Sequence, residues 1–423
     1  MIPAPAERAL RRVLGDAGLW LHDAVQVEGA KLTATLRPAD AGALGAALAV
    51  LGEHGLAALV RGGGTRLACA NPLRRADVLL DTTGLCAAPE LDADEGVMRA
   101  EAGSRLAALV EAAAGAGFEL PLDPPGVEST LGGALASACP GPRFAAPRDA
   151  VLGLDVVLAG GERTRCGGRV VKNVTGYDLM KLHTGAFGSL GVIAAAWLRL
   201  RPRAERAATR VTHVSADARG FADALAAARL PTARVAALAA AGLARELAPG
   251  LAGPEGDDAL LLAVELAGDA AAVEADAARL AAWLGAVAGP EDLVARLRRA
   301  QGAPAPEEGV RARLAVLPAR LGSAWRHAAA AGFALLAHPA RGLLYASRRG
   351  EAGAALQEAH DAARAAGAAL RVESAPLGVR EAWAAAGGDV FELAPERLAL
   401  HRSLKQRFDP AATLNPGRFA GHL

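Results

Sequence analysis

The chain is poor in several residue types. Its 423 residues include four lysines, two tyrosines, three methionines and four cysteines. Cys69, Cys86, Cys139 and Cys166 lack CxxC spacing, so the sequence supports neither an iron–sulfur cluster nor a zinc knuckle. Isolated cysteines in an alanine-rich chain read as small buried hydrophobes and suit a reducing compartment. A basic surplus is also missing: 46 Lys and Arg face 45 Asp and Glu, which argues against nonspecific nucleic-acid binding. No apolar run reaches the roughly 18 residues of a spanning helix. The longest candidate, "DALLLAVELAGDAAAV", is interrupted by Glu265 and Asp269. The first residues, "MIPAPAERALRRVLGDAGLW", carry charges where a signal peptide needs an apolar centre. The expectation is a soluble protein, held to a membrane at most by something else.

What is present describes a folded protein, 52% hydrophobic and 22% charged, and long enough for two domains. Residues 1–29 read as a helical lead-in. From there "KLTATLRP", a helix from Asp40 to Gly55, "LAALV", "ADVLLDT", "GVMRAEAG" and a helix from Ser104 alternate in α/β fashion. "LGLDVVLAGGERTRCGG" reads as two strands joined at Gly160-Gly161, and "GVIAAAWLRLRP" as a further strand. Residues 30–204 form the first domain in this reading. Residues 205–400 alternate strands such as "VRARLAVL" and "LRVESA" with alanine-rich helices and read as a second α+β domain. Residues 401–423 are a short helix and an irregular tail.

Three glycine-bearing loops stand out. Arg61-Gly62-Gly63-Gly64-Thr65 leaves a strand without opening a helix, so it is neither a GxGxxG fingerprint nor a Walker loop. Successive glycines supply bare amides that can nest anionic oxygens, although a tight turn also explains them. In "DPPGVESTLGGALASA", Pro125 stiffens the entry, Ser129 or Thr130 can cap a helix, and Gly132 and Gly133 leave its first turn without bulk. Close packing on a sheet is the alternative reading. The third, "RVVKNVTGYDLMKLHTGAFGSLGVI", gathers Lys172, Tyr177 and Lys181, then places Gly188 and Gly191 before a strand that includes Val192 and Ile193. Tyr177 can equally be a core tyrosine, and His183 a helix-end residue.

The order RGGGT, DPPG, STLGG, KNVTGYDL, GAFGSLGV, FDP, LNPG resembles the vanillyl-alcohol oxidase / p-cresol methylhydroxylase (PCMH) flavoproteins, and more narrowly the E-subunit type of bacterial glycolate oxidase. The resemblance covers about residues 30–203 and 395–419. It implies an α+β fold: a PCMH-type FAD-binding domain of two α/β subdomains, then an α+β domain with a mostly antiparallel sheet. It implies that Gly62, Gly63, Gly64 and Thr65, with Arg61, bind a pyrophosphate, and that Pro125, Thr130, Gly132, Gly133 and Ser137 lie along the flavin and its chain. Lys172, Tyr177, Gly188, Gly191, Val192 and Ile193 would form one wall of the cleft, and Asn415 would return from the tail. Covalent relatives place a histidine where Thr65 stands, so noncovalent FAD is expected.

One departure matters. The 2-hydroxy-acid dehydrogenases of this family carry an HxGDGNxH-like metal motif, and none of the nine histidines here has that spacing. No metal ligand and no catalytic base is identified. The resemblance therefore implies a subunit that assembles with a D-type flavin subunit and an F-type iron–sulfur subunit to oxidise glycolate or another small 2-hydroxy acid. A self-sufficient dehydrogenase, with Arg143, Arg148 or Arg380 as the carboxylate's cation, and a noncatalytic assembly subunit are the alternatives.

Overall fold

The computed structural model describes residues 2–126, 128–144, 146–169, 178–251, 259–302 and 309–423. Three sheets organise them. The first contains β1 (Leu19–Val27), β2 (Ala30–Leu36), β3 (Ala58–Arg61) and β4 (Val78–Asp81) in the order β1-β2-β4-β3. The β2–β4–β3 core is parallel and β1 is an antiparallel edge. The helical lead-in thus needs correction. A helix does span Ala4–Leu14, but Gly15 (φ +67°) ends it, and the following residues pair with β2 instead of continuing the helix.

The second sheet is antiparallel, in the order β5-β6-β10-β8-β9. Its strands are β5 (Glu90–Asp92), β6 (Val97–Glu101), β8 (Val151–Val157), β9 (Arg163–Gly167) and β10 (Val192–Arg199). Short strands β7 (Phe118–Glu119) and β11 (Arg201–Pro202) form a separate ribbon. The helix Ala41–Glu53 begins where Asp40 accepts from the amides of Gly42 and Ala43, at 2.7 and 2.8 Å. It buries Leu44, Leu48 and Leu51 in a core shared with both sheets.

The third sheet is antiparallel throughout, in the order β15-β12-β14-β13-β17-β18-β16-β19. Its strands are β12 (Arg206–Ser215), β13 (Ala233–Ala239), β14 (Ala259–Gly268), β15 (Val287–Ala288), β16 (Gly309–Ala315), β17 (Ala334–His338), β18 (Leu343–Arg349) and β19 (Ala369–Ser374). Period-2 alternation gives each strand two different faces. On one, Leu262, Leu314, Leu335, Leu344 and Leu370 pack with helices that include Leu321–Ala330 and Ala352–Ala366. The other face is apolar at the β13–β14 end, where Leu293 and Leu297 cover it. At the β16–β19 end it carries Arg311, Arg313, Arg371 and Glu373 toward the first domain. The expected mixed α+β architecture with a second, antiparallel sheet is what the chain adopts.

After the helix Pro395–Phe408, the tail returns to the first sheet. Ala58 donates to the Thr413 carbonyl at 2.7 Å, and Asn415 donates back to the Ala58 carbonyl at 3.0 Å. Residues 413–415 therefore extend the parallel side of the sheet beyond β3, with Ala58 and Leu414 bridged.

Candidate functional site: a flavin-type cavity

β3 ends at Arg61 and delivers Gly62, Gly63 and Gly64 into a cavity. Thr65, Arg66, Thr130, Gly133, Ser137, Phe187, Asn415 and Arg418 also line it.

Packing explains the glycines. A Cβ at Gly62 would overlap the Thr130 hydroxyl, and one at Gly63 would overlap the Glu128 carbonyl; Gly64 has φ +75°. The two loops are thus pressed together, and Thr65 Oγ1 and Ser129 Oγ share a hydrogen bond of 3.2 Å. Thr130 caps the helix Leu131–Ser137, its Oγ1 accepting from the Gly133 amide at 3.4 Å. The amides of Gly62, Gly63, Gly64 and Thr65 donate to no acceptor among the described residues. Such a row of unpaired donors on a cavity wall suits anionic oxygens, which meets the physical requirement of a bound diphosphate.

Asn415 adds to the wall beside β3. Its Oδ1 accepts from the Val60 amide at 2.8 Å and its Nδ2 donates to the Phe187 carbonyl at 2.6 Å. Its φ of +46° is in the left-handed region, which asparagine tolerates better than most residues. Gly188, also left-handed, packs against this same side chain.

Not every expected residue lines the cavity. Gly132 packs on Ala102, and its amide donates to the Ala102 carbonyl at 2.8 Å. Gly191 lies against Val156, while Val192 and Ile193 pair with β8 and enter the core. These residues support the wall from behind because the strand turns into the sheet immediately after Leu190. Pro125 likewise sits behind the loop, its carbonyl accepting from Arg66 at 3.2 Å. Lys172 and Tyr177 lie outside the described residues.

The proposed carboxylate cations are engaged elsewhere. Arg143 donates through Nε to buried Glu265 at 2.8 Å. Arg380 is buried, bonding Glu28 at 2.9 Å and the carbonyls of Ala70 and Ala375. Arg148 lies on the surface beside Asp149.

A different set of arginines was not singled out by the sequence. Arg371 donates to the Ser137 carbonyl at 3.3 Å, and its guanidinium lies 5.0 Å from the centre of the Phe187 ring, so it packs against two residues of the cavity wall. Arg313 Nε is 2.8 Å from Glu373 Oε1, and Arg66 Nη1 is 3.7 Å from Glu373 Oε2. Burial alone would raise the Glu373 pKa, but Arg313, Arg371, Arg66 and Arg311 together hold it below the ordinary glutamate value. The signal in the sequence was the "VRARL" and "LRVES" alternation, which gives each strand a charged face.

Cys69, Cys139 and Cys166 are buried, and Cys86 is exposed. Burial pushes the Cys139 thiol up to about 12, so it stays protonated and unreactive at neutral pH. His338 is buried beside Tyr345, and desolvation drives its pKa down to about 3. Among the described residues no group of three His, Cys, Asp or Glu side chains is placed to hold a metal ion.

Comparison with known proteins agrees with this geometry. An FAD binding domain profile matches residues 32–167, and a profile for the C-terminal domain of FAD linked oxidases matches residues 391–419. The fold is that of the PCMH-type FAD flavoproteins, and the chain is similar to glycolate oxidase subunits. It is 40% identical over 117 residues to glycolate oxidase subunit GlcE of Escherichia coli (strain K12), covering 26% of this chain and 33% of that one. It is 28% identical over 220 residues to glycolate oxidase subunit GlcD of Bacillus subtilis (strain 168), covering 50% and 47%. It is 33% identical over 171 residues to a D-lactate dehydrogenase of Archaeoglobus fulgidus, covering 40% and 38%. The matches thus span between a third and about half of these relatives' lengths. Among solved structures, p-cresol methylhydroxylase with substrate bound superimposes with a TM-score of 0.71 at 16% identity, over 98% of this chain and 96% of that one. Alkyldihydroxyacetonephosphate synthase gives 0.73 at 14% identity, over 98% and 86%. No helix among the described residues is long and apolar enough to cross a membrane.

Proposed function

We propose that the chain is the FAD-binding subunit of a glycolate oxidase-type complex that oxidises a small 2-hydroxy acid to the 2-oxo acid. The observation that carries this reading is the meeting of Gly62–Thr65, Thr130, Gly133, Phe187 and Asn415 around one cavity. The unpaired amides of residues 62–65 would hold the diphosphate, and Ser137, Phe187 and Asn415 would border the ring system. A bound flavin supplies a two-electron acceptor for the hydride on the substrate's hydroxyl-bearing carbon. The chain's part is to position that acceptor, exclude water with the antiparallel sheet and supply buried cationic groups for an acid. Binding is noncovalent in this reading, since no histidine, cysteine or tyrosine is among the described lining residues.

Partners of the D flavin and F iron–sulfur types are part of the proposal. Similarity to GlcE and GlcD supports it, and so does the want of an evident base among the described lining residues. Assembly would occur in the cytoplasm, with the complex at the inner membrane. Similarity to a D-lactate dehydrogenase keeps a self-sufficient enzyme as the second reading.

The deciding experiment is purification of the full chain alone and with co-expressed D- and F-type subunits, followed by a flavin spectrum and dye reduction with glycolate. The proposal expects flavin that acid precipitation releases, and turnover only with partners. Turnover by the chain alone favours the second reading. A colourless chain that ignores added FAD removes both.

A further inference from the structure

We propose that Arg418, carried in by the tail, is a diphosphate-binding residue, and that Glu28 in the β1–β2 turn is the positioning residue that sets how much of its charge is free. This rests on the reading of the cavity as an FAD site, and adds a side-chain cation to the amides of Gly62–Thr65.

Placement is the first argument. The Arg418 amide donates to the Asn415 carbonyl at 3.1 Å, a turn that brings both residues to the cavity wall. Arg418 Nη1 donates to Glu28 Oε2 at 2.8 Å, and its Nη2 donates to the Leu67 carbonyl. Leu67 also lines the cavity, two positions beyond Thr65, where the row of unpaired amides ends. The guanidinium therefore stands beside donors already suited to anionic oxygens. Glu28 is itself held in the left-handed region, at φ +51°.

Charge is the second. Glu28 Oε2 also accepts from Arg380 Nη1, at 2.9 Å. Two guanidiniums, 2% and 3% exposed, thus share one carboxylate, and one positive charge is left over. The other donors of Arg380 go to the neutral carbonyls of Ala70 and Ala375, and Arg380 does not line the cavity. An anion that takes up the surplus reaches it through Arg418. Burial, with Arg380 nearby, holds the Arg418 pKa below the ordinary arginine value, and a bound diphosphate relieves that penalty.

Access is the third. Arg61 and Arg66 line the same cavity, but Arg61 is a third exposed and faces Asp81 at 3.7 Å. Arg66 is spent on the Pro125 carbonyl and Glu373, and its Nε is sealed. The Arg418 Nε has no acceptor among the described residues and is not sealed in that way. In a side chain only 3% exposed that lines the cavity, the remaining opening is toward the cavity. A guanidinium edge so placed suits phosphate oxygens.

The test is calorimetric titration of the full chain, stripped of flavin, with ADP, which carries the diphosphate, and with riboflavin, which carries the ring without phosphate. Arg418→Met is expected to weaken ADP binding at least about tenfold. Glu28→Gln keeps an acceptor and removes the competing negative charge, so it is expected to tighten ADP at least about threefold. Riboflavin should change by less than about twofold in either variant. The opposite signs separate charge from architecture, because a merely structural contact predicts weaker ADP in both. Unchanged ADP binding in Arg418→Met, or weaker binding in Glu28→Gln, overturns the proposal. Loss of riboflavin in place of ADP assigns Arg418 to the ring and overturns it too, leaving the FAD reading intact. An unaltered chain that takes up FAD but not ADP overturns this proposal alone, and one that takes up neither overturns the flavin reading with it. If Arg418→Met does not fold, the sign of the Glu28→Gln change decides.

Discussion

Lys405 and Asp409 form a buried pair one helical turn apart, with Nζ and Oδ2 separated by 2.6 Å. The same ammonium donates to the Ser189 carbonyl at 2.9 Å and the Leu414 carbonyl at 2.8 Å, so all three of its donors are used. Asp409 in turn accepts from the amides of Thr413 and Leu414. One lysine thereby ties the glycine-bearing segment that ends in β10 to the returning tail.

Lys405→Met is expected to destabilise the chain by about 3–5 kcal/mol, because it strands the Asp409 carboxylate away from water. Lys405→Met/Asp409→Asn should recover part of that loss. Urea unfolding of the three proteins checks this, and equal midpoints for the single variant and the unaltered chain would refute the clasp. Arginine is a poor replacement, since its planar fork does not reproduce a point donor with three acceptors around it.

Asn415→Asp should weaken FAD binding by about tenfold or more. It places a negative oxygen against the Phe187 carbonyl where an amide now donates, so the wall is pushed open. Flavin remaining after extensive dialysis is the measurement. Retention equal to that of the unaltered chain would mean that Asn415 does not shape the cofactor site.

At Gly63 a charge is not required for damage. A single methyl already collides with the Glu128 carbonyl, so Gly63→Ala and Gly63→Asp should both lose most bound flavin. Gly115→Ala is the control: a Cβ there meets nothing within 4 Å, and it lies in the helix Leu106–Gly115. It should keep its flavin and gain up to about 1 kcal/mol of stability. Loss in the aspartate variant alone would assign the effect to charge and not to the pressed loops.

Acid stability offers a further test. Burial pushes His183 from 6.5 down to about 4, and neither ring nitrogen has a partner among the described residues. The unfolded chain binds more protons than the folded one between those values, so this contribution is complete above pH 6.5 and fades as the pH falls toward 4. Asp123 works in the opposite direction, since burial lifts its carboxyl from 3.8 to about 6 and folding favours its protonated form. The difference between His183→Leu and the unaltered chain isolates the histidine. The variant should gain about 2 kcal/mol relative to the unaltered chain on going from pH 8 to pH 5, read from urea midpoints. A constant difference across that range would place a partner or water at the ring.

The loops were readable because glycine, proline and cap residues act locally. Asp40 and Thr130 cap the helices that follow them, as their side-chain chemistry dictates. Strand β13 was harder: "ARVAALA" has the composition of a helix, and its neighbours β14 and β17 make it a strand. The arginines were hidden for a related reason. Alternation in "VRARL" predicts which residues share a face but not what covers that face. Ordinarily water does; here the first domain does, and the face becomes a charged interior. Gly191, Val192 and Ile193 show the converse, because nearness in sequence to a cavity residue did not make them part of its lining.

The strand-like return at residues 413–415 also has a temporal consequence. During synthesis, the cavity residues from Arg61 to Phe187 leave the ribosome hundreds of residues before Asn415 and Arg418 do. A nascent polypeptide can therefore close its pocket only near the end of translation, which makes cofactor capture a late event and couples it to completion of the message.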